Sequence, residues 1–326
     1  MEKQRRVIAL GFFDGVHMGH GALLRRVKET ADALGAEPAA FTFDKSPTAA
    51  LTGQTIPLLS TLEDRTELMA QLYGIKSVII APFDTMQHMD WEEFIADYLV
   101  EKMGAVHVVA GHDFHFGYMG EGNPERLRAK CQALGVGCDI IPKVELDGVT
   151  VSSTYIRTLI AQGEMERAVE FLGHPYRLTR QVTHGKRLGS RLGFPTVNLR
   201  IPEGVIVPAF GVYATRVWVL PVWPDNHEPP GPQHLPGEGP YMAVTNVGVR
   251  PTVEDGDQVT VESFLLDFNG DLYGRTVRAE FYKYLRPERK FPSVEALAEE
   301  IQHNADQTRE FFWRVTANGS VPSAAP

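Results

Sequence analysis

The hydrophobic and polar positions of this chain follow two different periods, and the change from one to the other divides the sequence. In the first half, short runs that are apolar throughout alternate with stretches in which apolar residues recur every three or four positions. Such runs predict buried strands, and such spacing predicts helices. The predicted strands are Arg6–Leu10, Ala39–Phe43, Ser77–Ala81, Val106–Ala110 and Gly137–Ile141. Apolar strands that alternate with helices predict an α/β domain whose parallel sheet is covered on both faces.

Helices are predicted between these strands, and glycines mark where several of them end. The predicted helices are Leu23–Leu34, Leu62–Tyr73 and Trp91–Met103, followed by Gly35, Gly74 and Gly104. A further helical stretch from Thr154 to Leu172, interrupted at Gly163, ends at Gly173-His174-Pro175. Because glycine and proline together break a helix, we predict a domain boundary there, with a first domain over residues 1–174.

From Tyr176 onward the apolar residues alternate with a period of two, which is typical of half-buried strands. The predicted strands are Tyr176–His184, Gly211–Val219, Tyr241–Gly248, Val259–Asp267 and Thr276–Leu285. Their spacing predicts a small antiparallel β-barrel, closed by a helix over Ser293–Val315. Residues 221–240 hold seven prolines and are predicted to be an insertion on the surface. The second domain therefore covers residues 175–315, and residues 316–326 are predicted to be a disordered tail.

Composition narrows the possible functions of the 326-residue chain. Its net charge of −9 argues against a protein that coats nucleic acid or an anionic membrane. No stretch approaches the roughly 20 apolar residues of a membrane span, and we find no signal peptide. The two cysteines, Cys131 and Cys138, fit no zinc pattern and suggest a reducing compartment. We expect a cytoplasmic protein without an obligate protein partner.

The turn after the first predicted strand carries the clearest chemical signal. Residues 11–20 read Gly-Phe-Phe-Asp-Gly-Val-His-Met-Gly-His, between a strand and a helix. Such a turn directs free backbone N–H groups, and the positive end of the helix dipole, at an anion. A glycine-rich turn alone can be a simple tight connection. The H-x-G-H spacing of His17 and His20 in this context favours a phosphate site instead.

A second glycine-rich segment lies in the barrel half. Gly185, Gly189 and Gly193 are separated by basic residues, which suits a loop that wraps phosphates. Thr196 and Asn198 follow, and their oxygens suit Mg²⁺ held between the protein and nucleotide phosphates. The alternative is a basic solvated loop with a turn at Pro195.

Further polar loops follow the predicted strands, at the edge where parallel sheets bind ligands. They come after Leu10, Phe43 and Ala110, and the last of them contains residues 111–117. Later, Ser152, Ser153 and Thr154 precede a helix that contains Arg157. Their hydroxyls either cap this helix or, together with Arg157, form a second phosphate cradle.

These motifs, in this order, resemble those of the bacterial bifunctional riboflavin kinase/FAD synthetases. The matching patterns are G-x-F-D-G-x-H-x-G-H at residues 11–20, G-x-D-F-x-F-G at 111–117, S-S-T-x-I-R at 152–157 and G-F-P-T-x-N at 193–198. The resemblance implies a Rossmann-like nucleotidyltransferase domain of the HxGH type, followed by a riboflavin kinase barrel. It also implies that ATP phosphorylates riboflavin to FMN, and that FMN is adenylylated to FAD with release of pyrophosphate.

The resemblance also implies roles for individual residues. In the first domain, His17 and His20 are catalytic; ATP is bound by Gly11, Phe13, Asp14, Gly15, Ser153, Thr154 and Arg157; and flavin is bound by Phe43, Asp113 and Phe114. In the second domain, Glu262 is the catalytic base; ATP is bound by Gly185, Gly189, Gly193, Thr196 and Asn198; Mg²⁺ is held by Thr196 and Asn198; and flavin is bound by Arg286, Glu288 and Phe291.

Three positions depart from the family pattern in the flavin loops of the first domain. Lys45 and Ser46 stand where the family usually has Pro-His, and His115 stands where it usually has Arg. There are two alternatives to the bifunctional enzyme, and these departures motivate the first of them. One is a riboflavin kinase whose adenylyltransferase domain is weakened or lost, and the other is a flavin or nucleotide sensor without catalysis.

Overall fold

A computed structural model describes residues 4–183, 196–221, 238–252 and 256–317. Contacts between Cα atoms divide these residues into two compact units. The first unit contains the residues up to 56 and residues 65–152, and the second contains residues 57–64 and the chain from 153 on. In this division the segment 153–172, which precedes the predicted domain boundary, lies with the second unit.

The first unit is built on a five-stranded parallel sheet, which confirms the predicted α/β fold. In sheet order the strands are β3 (Ser77–Ala81), β2 (Glu37–Phe43), β1 (Arg6–Leu10), β4 (Ala105–Gly111) and β5 (Gly137–Ile141). The chain starts in the middle of the sheet and moves to one side before it crosses to the other. The turn after β1 therefore lies where the strand order reverses, which is the usual ligand site of such sheets.

Helices cover both faces of this sheet. They are α1 (Met18–Leu34), α2 (Pro47–Thr52), α3 (Leu62–Tyr73), α4 (Phe83–Met86), α5 (Trp91–Glu93), which continues as a π-helix over Phe94–Lys102, and α6 (Pro124–Ala133). Successive residues of β1 enter different cores, because Ile8 packs with Phe41 on one face and Val7 packs with Ala40 on the other. Burial on both faces explains why β1 is apolar throughout. A short hairpin, β6 (Glu145–Leu146) with β7 (Val149–Thr150), precedes the end of the unit.

The second unit is a curled antiparallel sheet of six strands, which confirms the predicted antiparallel barrel fold. Two helices precede these strands in the sequence and one follows them. Its elements are α7 (Ser153–Gln162), α8 (Met165–Leu172), β8 (Tyr176–Gln181), β9 (Thr196–Arg200), β10 (Gly211–Val219), β11 (Glu238–Thr252), β12 (Gly256–Leu265), β13 (Thr276–Arg286) and α9 (Val294–Ala317). The sheet order is β8-β13-β10-β11-β12-β9. Its two edges meet where the backbone N–H of Thr183 donates to the carbonyl of Asn198, at 2.9 Å.

Some elements differ from the sequence prediction. The segment Thr196–Arg200 forms strand β9, although the preceding glycines and Pro195 indicated a turn. Strand β11 begins at Glu238, inside the range predicted to be an insertion, and helix α9 continues to Ala317. Among the described residues, no helix has both the length and the apolar character needed to cross a membrane.

Candidate active sites

The turn between β1 and α1 has a strained backbone. Phe13, Gly15 and Val16 have φ angles of 58°, 76° and 44°, in the left-handed region. Glycine adopts this region freely, whereas a β-branched valine does so at a cost. Phe13, Asp14, Gly15 and Val16 are all buried, so the surrounding core holds this conformation in place. Strain of this kind collects at functional sites, because a relaxed turn would direct its side chains elsewhere.

The two histidines of this turn lie face to face at the start of α1. His17 is the N-cap residue, and its Nδ1 accepts a hydrogen bond from the backbone N–H of His20 at 3.3 Å. The two rings stack with their centroids 3.6 Å apart and their planes 14° from parallel. A Cβ at Gly19 would lie 3.1 Å from the Cε1 of His17, so a glycine keeps this stack free of crowding. The H-x-G-H spacing therefore brings both imidazoles to the helix end that attracts anions.

The surroundings of His20 favour its neutral form. Burial lowers the pKa of His20 well below its ordinary value of 6.5, and the charges of His17 and Arg65 act in the same direction. The edge of the Phe13 ring lies against the imidazole, with centroids 5.2 Å apart. The Nδ1 atom of His20 is buried and has no hydrogen-bond partner among the residues that the structure describes. A neutral imidazole presents one N–H donor, which suits a hydrogen bond to a phosphate oxygen.

The remaining residues predicted to bind ATP or flavin in the first unit lie at or just beyond the ends of β1, β2 and β4. Gly11 faces the Phe13 ring so closely that a Cβ would lie 2.9 Å from it. Phe43 ends β2 and packs edge-on against Phe83, with centroids 5.2 Å apart. Asp113 is exposed after β4, and Phe114 stacks on Phe116 with centroids 5.5 Å apart. An exposed carboxylate beside aromatic rings is compatible with a planar, polar ligand.

The three positions that depart from the family pattern have structural roles of their own. The Nζ of Lys45 pairs with Asp84 Oδ2 at 2.5 Å. The Ser46 hydroxyl caps α2 by accepting from the N–H of Ala49 at 3.3 Å. His115 Nδ1 lies 3.0 Å from the carbonyl oxygen of Asp113, within its own loop. These residues stabilise their loops with contacts that differ from those of proline or arginine.

Ser153, Thr154 and Arg157 lie in α7, which is part of the second unit. Ser153 is the first residue of the helix and Thr154 is exposed. The Nε of Arg157 donates to the carbonyl oxygen of Pro57 at 2.6 Å, so the guanidinium is fixed in direction. In the first unit, the carbonyl oxygen of Val151 lies 3.6 Å from where a Cβ of Gly19 would stand.

A polar row crosses the sheet of the second unit. Glu262 on β12 stands directly opposite Asn198 on β9 and opposite Asn246 on β11. Residues in such register share one face, with Cβ atoms roughly 4.5–5.5 Å apart. Thr196, two residues before Asn198, lies on the same face opposite Phe264. The predicted base is thus flanked by two carboxamides, while Gly185, Gly189 and Gly193 lie outside the described residues.

The row continues to Glu288, one of the residues predicted to bind flavin. Asn246 Nδ2 donates to Glu288 Oε1 at 3.0 Å. A Cβ at Gly248 would lie 2.0 Å from the same oxygen, so a larger residue there would displace the carboxylate from this position over β11. Asn246 is therefore a candidate site residue that motif spacing did not reveal, because its place beside Glu262 depends on the pairing of β11 with β12. Alternation along β11 shows only that its side chain shares a face with Gly248.

Arg286 and Phe291 lie beside the start of α9. Arg286 Nε pairs with Glu300 Oε1 at 2.8 Å and donates to Asn304 Oδ1 at 3.1 Å. The guanidinium carbons of Arg286 and Arg289 lie 5.5 Å and 5.0 Å from the centroid of the Phe291 ring. Phe291 also lines a surface cavity of about 520 Å³ beside α9. An aromatic ring with cationic groups around it can stack against a flat heterocycle.

The donors on this face fit a magnesium ion. Within the described ranges, no group of three or more His, Cys, Asp or Glu side chains is arranged to hold a metal. Mg²⁺ does not need such a cage, since it takes one or two protein oxygens and completes its shell with phosphates and water. Thr196 is partly buried and Asn198 is buried, and both lie on the face that carries Glu262. Their hard oxygens therefore suit Mg²⁺ better than a softer metal.

Comparisons with known proteins cover nearly the whole chain. Residues 1–155 match the family model described as FAD synthetase, and residues 172–312 match the one described as riboflavin kinase. A bifunctional riboflavin kinase/FMN adenylyltransferase of Listeria monocytogenes is 35% identical over 94% of this chain and 92% of its own. A protein of the same name from Pseudomonas fluorescens is 36% identical over 92% and 90%. A crystal structure described as a macrolide-efflux protein from Streptococcus pneumoniae superposes with a TM-score of 0.79 at 29% identity, over 94% of each chain.

Proposed function

The chain belongs to the bifunctional riboflavin kinase/FMN adenylyltransferase family, and from this premise we propose which of its residues perform each reaction. The enzyme phosphorylates riboflavin to FMN with ATP, and it transfers AMP from a second ATP to FMN, which gives FAD and pyrophosphate. We assign the second reaction to the histidine turn and the first to the polar row of the barrel. We also place the enzyme in the cytoplasm, where its two free thiols stay reduced.

In the adenylyl transfer, a phosphate oxygen of FMN attacks the α-phosphorus of ATP and pyrophosphate leaves. His17 and His20 stand at the N-terminus of α1, where an anion is stabilised. His20, held neutral, donates its N–H to the phosphate oxygens as negative charge develops on them. Gly11, Phe13, Asp14 and Gly15 shape the turn around the nucleotide, and Ser153, Thr154 and Arg157 contact its phosphates. Phe43, Asp113 and Phe114 bind the flavin.

In the kinase reaction, Glu262 accepts the proton of the ribityl hydroxyl while the hydroxyl oxygen forms a bond to the γ-phosphorus of ATP. The bond to the leaving ADP oxygen breaks at the same centre. Asn198 and Asn246 stand opposite Glu262 on the two neighbouring strands, so one carboxamide lies on each side of it in the sheet. Such transfers depend on positioning and charge stabilisation more than on covalent help. We assign ATP binding to Gly185, Gly189 and Gly193, and flavin binding to Arg286, Glu288 and Phe291.

Thr196 and Asn198 are the residues that would hold Mg²⁺ in the kinase site. A bound Mg²⁺ neutralises phosphate charge and orients the transferred group. The two side chains leave most of the coordination shell to phosphates and water, as Mg²⁺ prefers.

The observation that carries the assignment of adenylyl transfer is the stack of His17 on His20 at a helix N-terminus. The test is the variant His20→Ala, incubated with riboflavin, ATP and Mg²⁺, with the flavins separated by chromatography. We expect FAD formation to fall roughly 10²-fold or more, because a lost transition-state hydrogen bond costs about that much. FMN formation by the same variant should be unchanged, which also shows that the chain is folded. Unchanged FAD formation would contradict the role of His20.

The kinase assignment predicts the opposite pattern for Glu262→Gln. FMN formation should fall by roughly 10²–10⁴, because general base catalysis contributes about that factor. FAD formation from added FMN should remain. Glu280→Gln is the matched control, since Glu280 lies on β13 and accepts a hydrogen bond from Tyr282 that glutamine can also accept. If Glu262→Gln and Glu280→Gln form FMN at the same rate, Glu262 is not the base.

A further inference from the structure

Arg65 is buried in the first unit although no motif includes it. Its side chain is among the largest that are fully buried, with 1% of the residue exposed. It lies in the first turn of α3, where the helix dipole disfavours a cation. Arginine is rarely buried unless a specific set of contacts requires it. The position therefore calls for an explanation in terms of what the guanidinium touches.

The guanidinium joins the ends of two strands under the histidine turn. Its Nη1 donates to the carbonyl oxygen of Phe12 at 2.9 Å and to the hydroxyl of Thr42 at 3.3 Å. The Thr42 hydroxyl donates to the same carbonyl oxygen of Phe12 at 2.8 Å. The guanidinium also lies over the Phe12 ring, 4.2 Å from its centroid. The carbonyl of Phe12 is thus held from two directions.

The peptide bond between Phe12 and Phe13, which contains this carbonyl, leads into the strained turn. Phe13, the next residue, has a φ of 58°, and its ring contacts the His20 imidazole. Fixing the Phe12 carbonyl therefore fixes where Phe13 starts, and through Phe13 the position of His20. Strained turns persist only where their surroundings determine them fully.

Arg65 also acts on His20 through its charge. The groups whose charges act on His20 are His17, in the same turn, and Arg65, on α3. Asp14 is the acid of that turn and is buried. A fixed positive charge beside an imidazole opposes its protonation. The same charge adds to the positive potential that receives the phosphates.

We propose that Arg65 is a positioning residue for adenylyl transfer, which holds the histidine turn, and with it His20, in place through the Phe12 carbonyl. The positive charge of Arg65 is the second part of this role, because it acts in the same direction as the burial of the imidazole. This inference rests on the proposed role of His20. Arg65 touches neither substrate in this account and acts only through the turn and the imidazole. The contacts of Arg65 and its charge can be tested separately with Arg65→Lys. Lysine keeps the positive charge but lacks the planar guanidinium that stacks on Phe12 and makes two hydrogen bonds.

The test uses the full chain with Arg65→Met, Arg65→Lys and Thr42→Val. The rate of FAD formation from FMN and ATP is measured from pH 5 to 8.5, with FMN formation from riboflavin as the internal control. For Arg65→Met we expect kcat to fall at least 10-fold, KM for ATP to change less than threefold, and the loss of activity in acid to begin at a higher pH. Arg65→Lys should restore the acid limit but not kcat, and Thr42→Val should lower kcat without moving the acid limit.

Arg26→Met is the matched control, because Arg26 is a half-exposed arginine of the same unit that pairs with Asp139. A kcat and pH profile of Arg65→Met like those of Arg26→Met would overturn the proposal. A lower kcat with an unmoved acid limit would also overturn it, since a purely structural role would give that result. If Arg65→Met does not fold, Arg65→Lys decides, and an unchanged kcat overturns the proposal. Full FAD formation by His20→Ala would refute the histidine assignment instead.

Discussion

At the scale of single residues, the environment of His20 keeps the imidazole neutral, as a defined hydrogen-bond donor, and makes the folded protein less stable in acid. Burial and two neighbouring positive groups lower the pKa of His20 in the folded state. An unfolded chain has no such environment, so its imidazole titrates near 6.5. Between the two pKa values the unfolded state binds a proton that the folded state does not. The contribution of His20 to stability is therefore complete above pH 6.5 and declines below it.

This difference predicts how the free energy of unfolding depends on pH. From pH 6.5 downward, His20 should reduce it by up to about 1.4 kcal/mol for each pH unit, until the folded-state pKa is reached. His20→Gln removes the titrating group and should show a shallower decline. Urea unfolding of both proteins at pH 7.5, 6.5 and 5.5 measures the difference. Parallel declines would mean that His20 is not held neutral.

Residues also differ in how far the sequence alone could identify them. His17 and His20 belong to one local motif, so their spacing predicts that both stand at a helix start. Arg65 belongs to no such motif, and the stretch that begins with Asn246 does not show which residue Asn246 stands opposite. Asn246 stands opposite Glu262 because β11 pairs with β12 in one register, and Arg65 meets Phe12 because α3 packs on one face of the sheet. Tertiary contacts of this kind leave no periodic signal in the chain.

At the scale of elements, the barrel strands are tied together by hydroxyl groups on the face opposite Glu262. The Thr245 hydroxyl on β11 lies 2.7 Å from that of Thr215 on β10 and 2.8 Å from that of Ser263 on β12. All three side chains are fully buried. Buried hydroxyls are costly unless each finds a partner, and here each satisfies its neighbour. The row therefore favours one register among three strands.

Breaking this row should destabilise the second unit. Thr245→Val keeps the side-chain volume but removes the central hydroxyl, which leaves Ser263 without the partner that Thr245 supplies. We expect a loss of about 1–3 kcal/mol of unfolding free energy. The double variant Thr245→Val/Ser263→Ala should recover part of it, because no hydroxyl of that pair remains buried alone. Urea unfolding followed by circular dichroism measures the free energy of unfolding of each variant. If the double variant loses as much free energy as the two single variants together, or more, the hydroxyls do not stabilise one another.

The sequence predicts well those elements whose own residues form a clear pattern, such as an apolar run or a glycine at the end of a helix. Each parallel strand is an apolar run, and Gly35 ends α1 with a φ of 59° as its position suggests. Strand β9 carries a weaker signal, because it follows a proline and holds only two apolar residues, Val197 and Leu199. The π-helix over Phe94–Lys102 has the apolar spacing of an ordinary helix, so the pattern cannot distinguish the two.

At the scale of the whole molecule, one chain carries two reactions in sequence, and the product of the first is a substrate of the second. Each reaction consumes its own ATP, and the catalytic residues proposed for the two reactions lie in different units, although Ser153, Thr154 and Arg157, proposed for the adenylyl transfer, belong to the second unit. The histidine turn belongs to the first unit and Glu262 to the second. Loss of one activity therefore need not impair the other.

Two damaged proteins should then complement each other. A mixture of His20→Ala and Glu262→Gln, given riboflavin and ATP, should form FAD after a lag in which FMN accumulates. The reason is that FMN made by the first protein diffuses to the intact adenylyltransferase of the second. The lag should shorten as the concentration of Glu262→Gln rises. Absence of FAD, while added FMN is still converted, would show that FMN does not leave the protein that makes it.

The meeting of Thr183 with Asn198 has a consequence for how this family of enzymes can vary. Residues 184–195 connect two points that the barrel already holds together by hydrogen bonds. The free energy of closing such a loop rises by only about 0.6 kcal/mol when its length doubles. Insertions and substitutions between these points can therefore accumulate over evolution with little effect on the barrel. The pairing of Asn198 with Glu262 therefore does not depend on the length of the chain that joins Thr183 to Asn198.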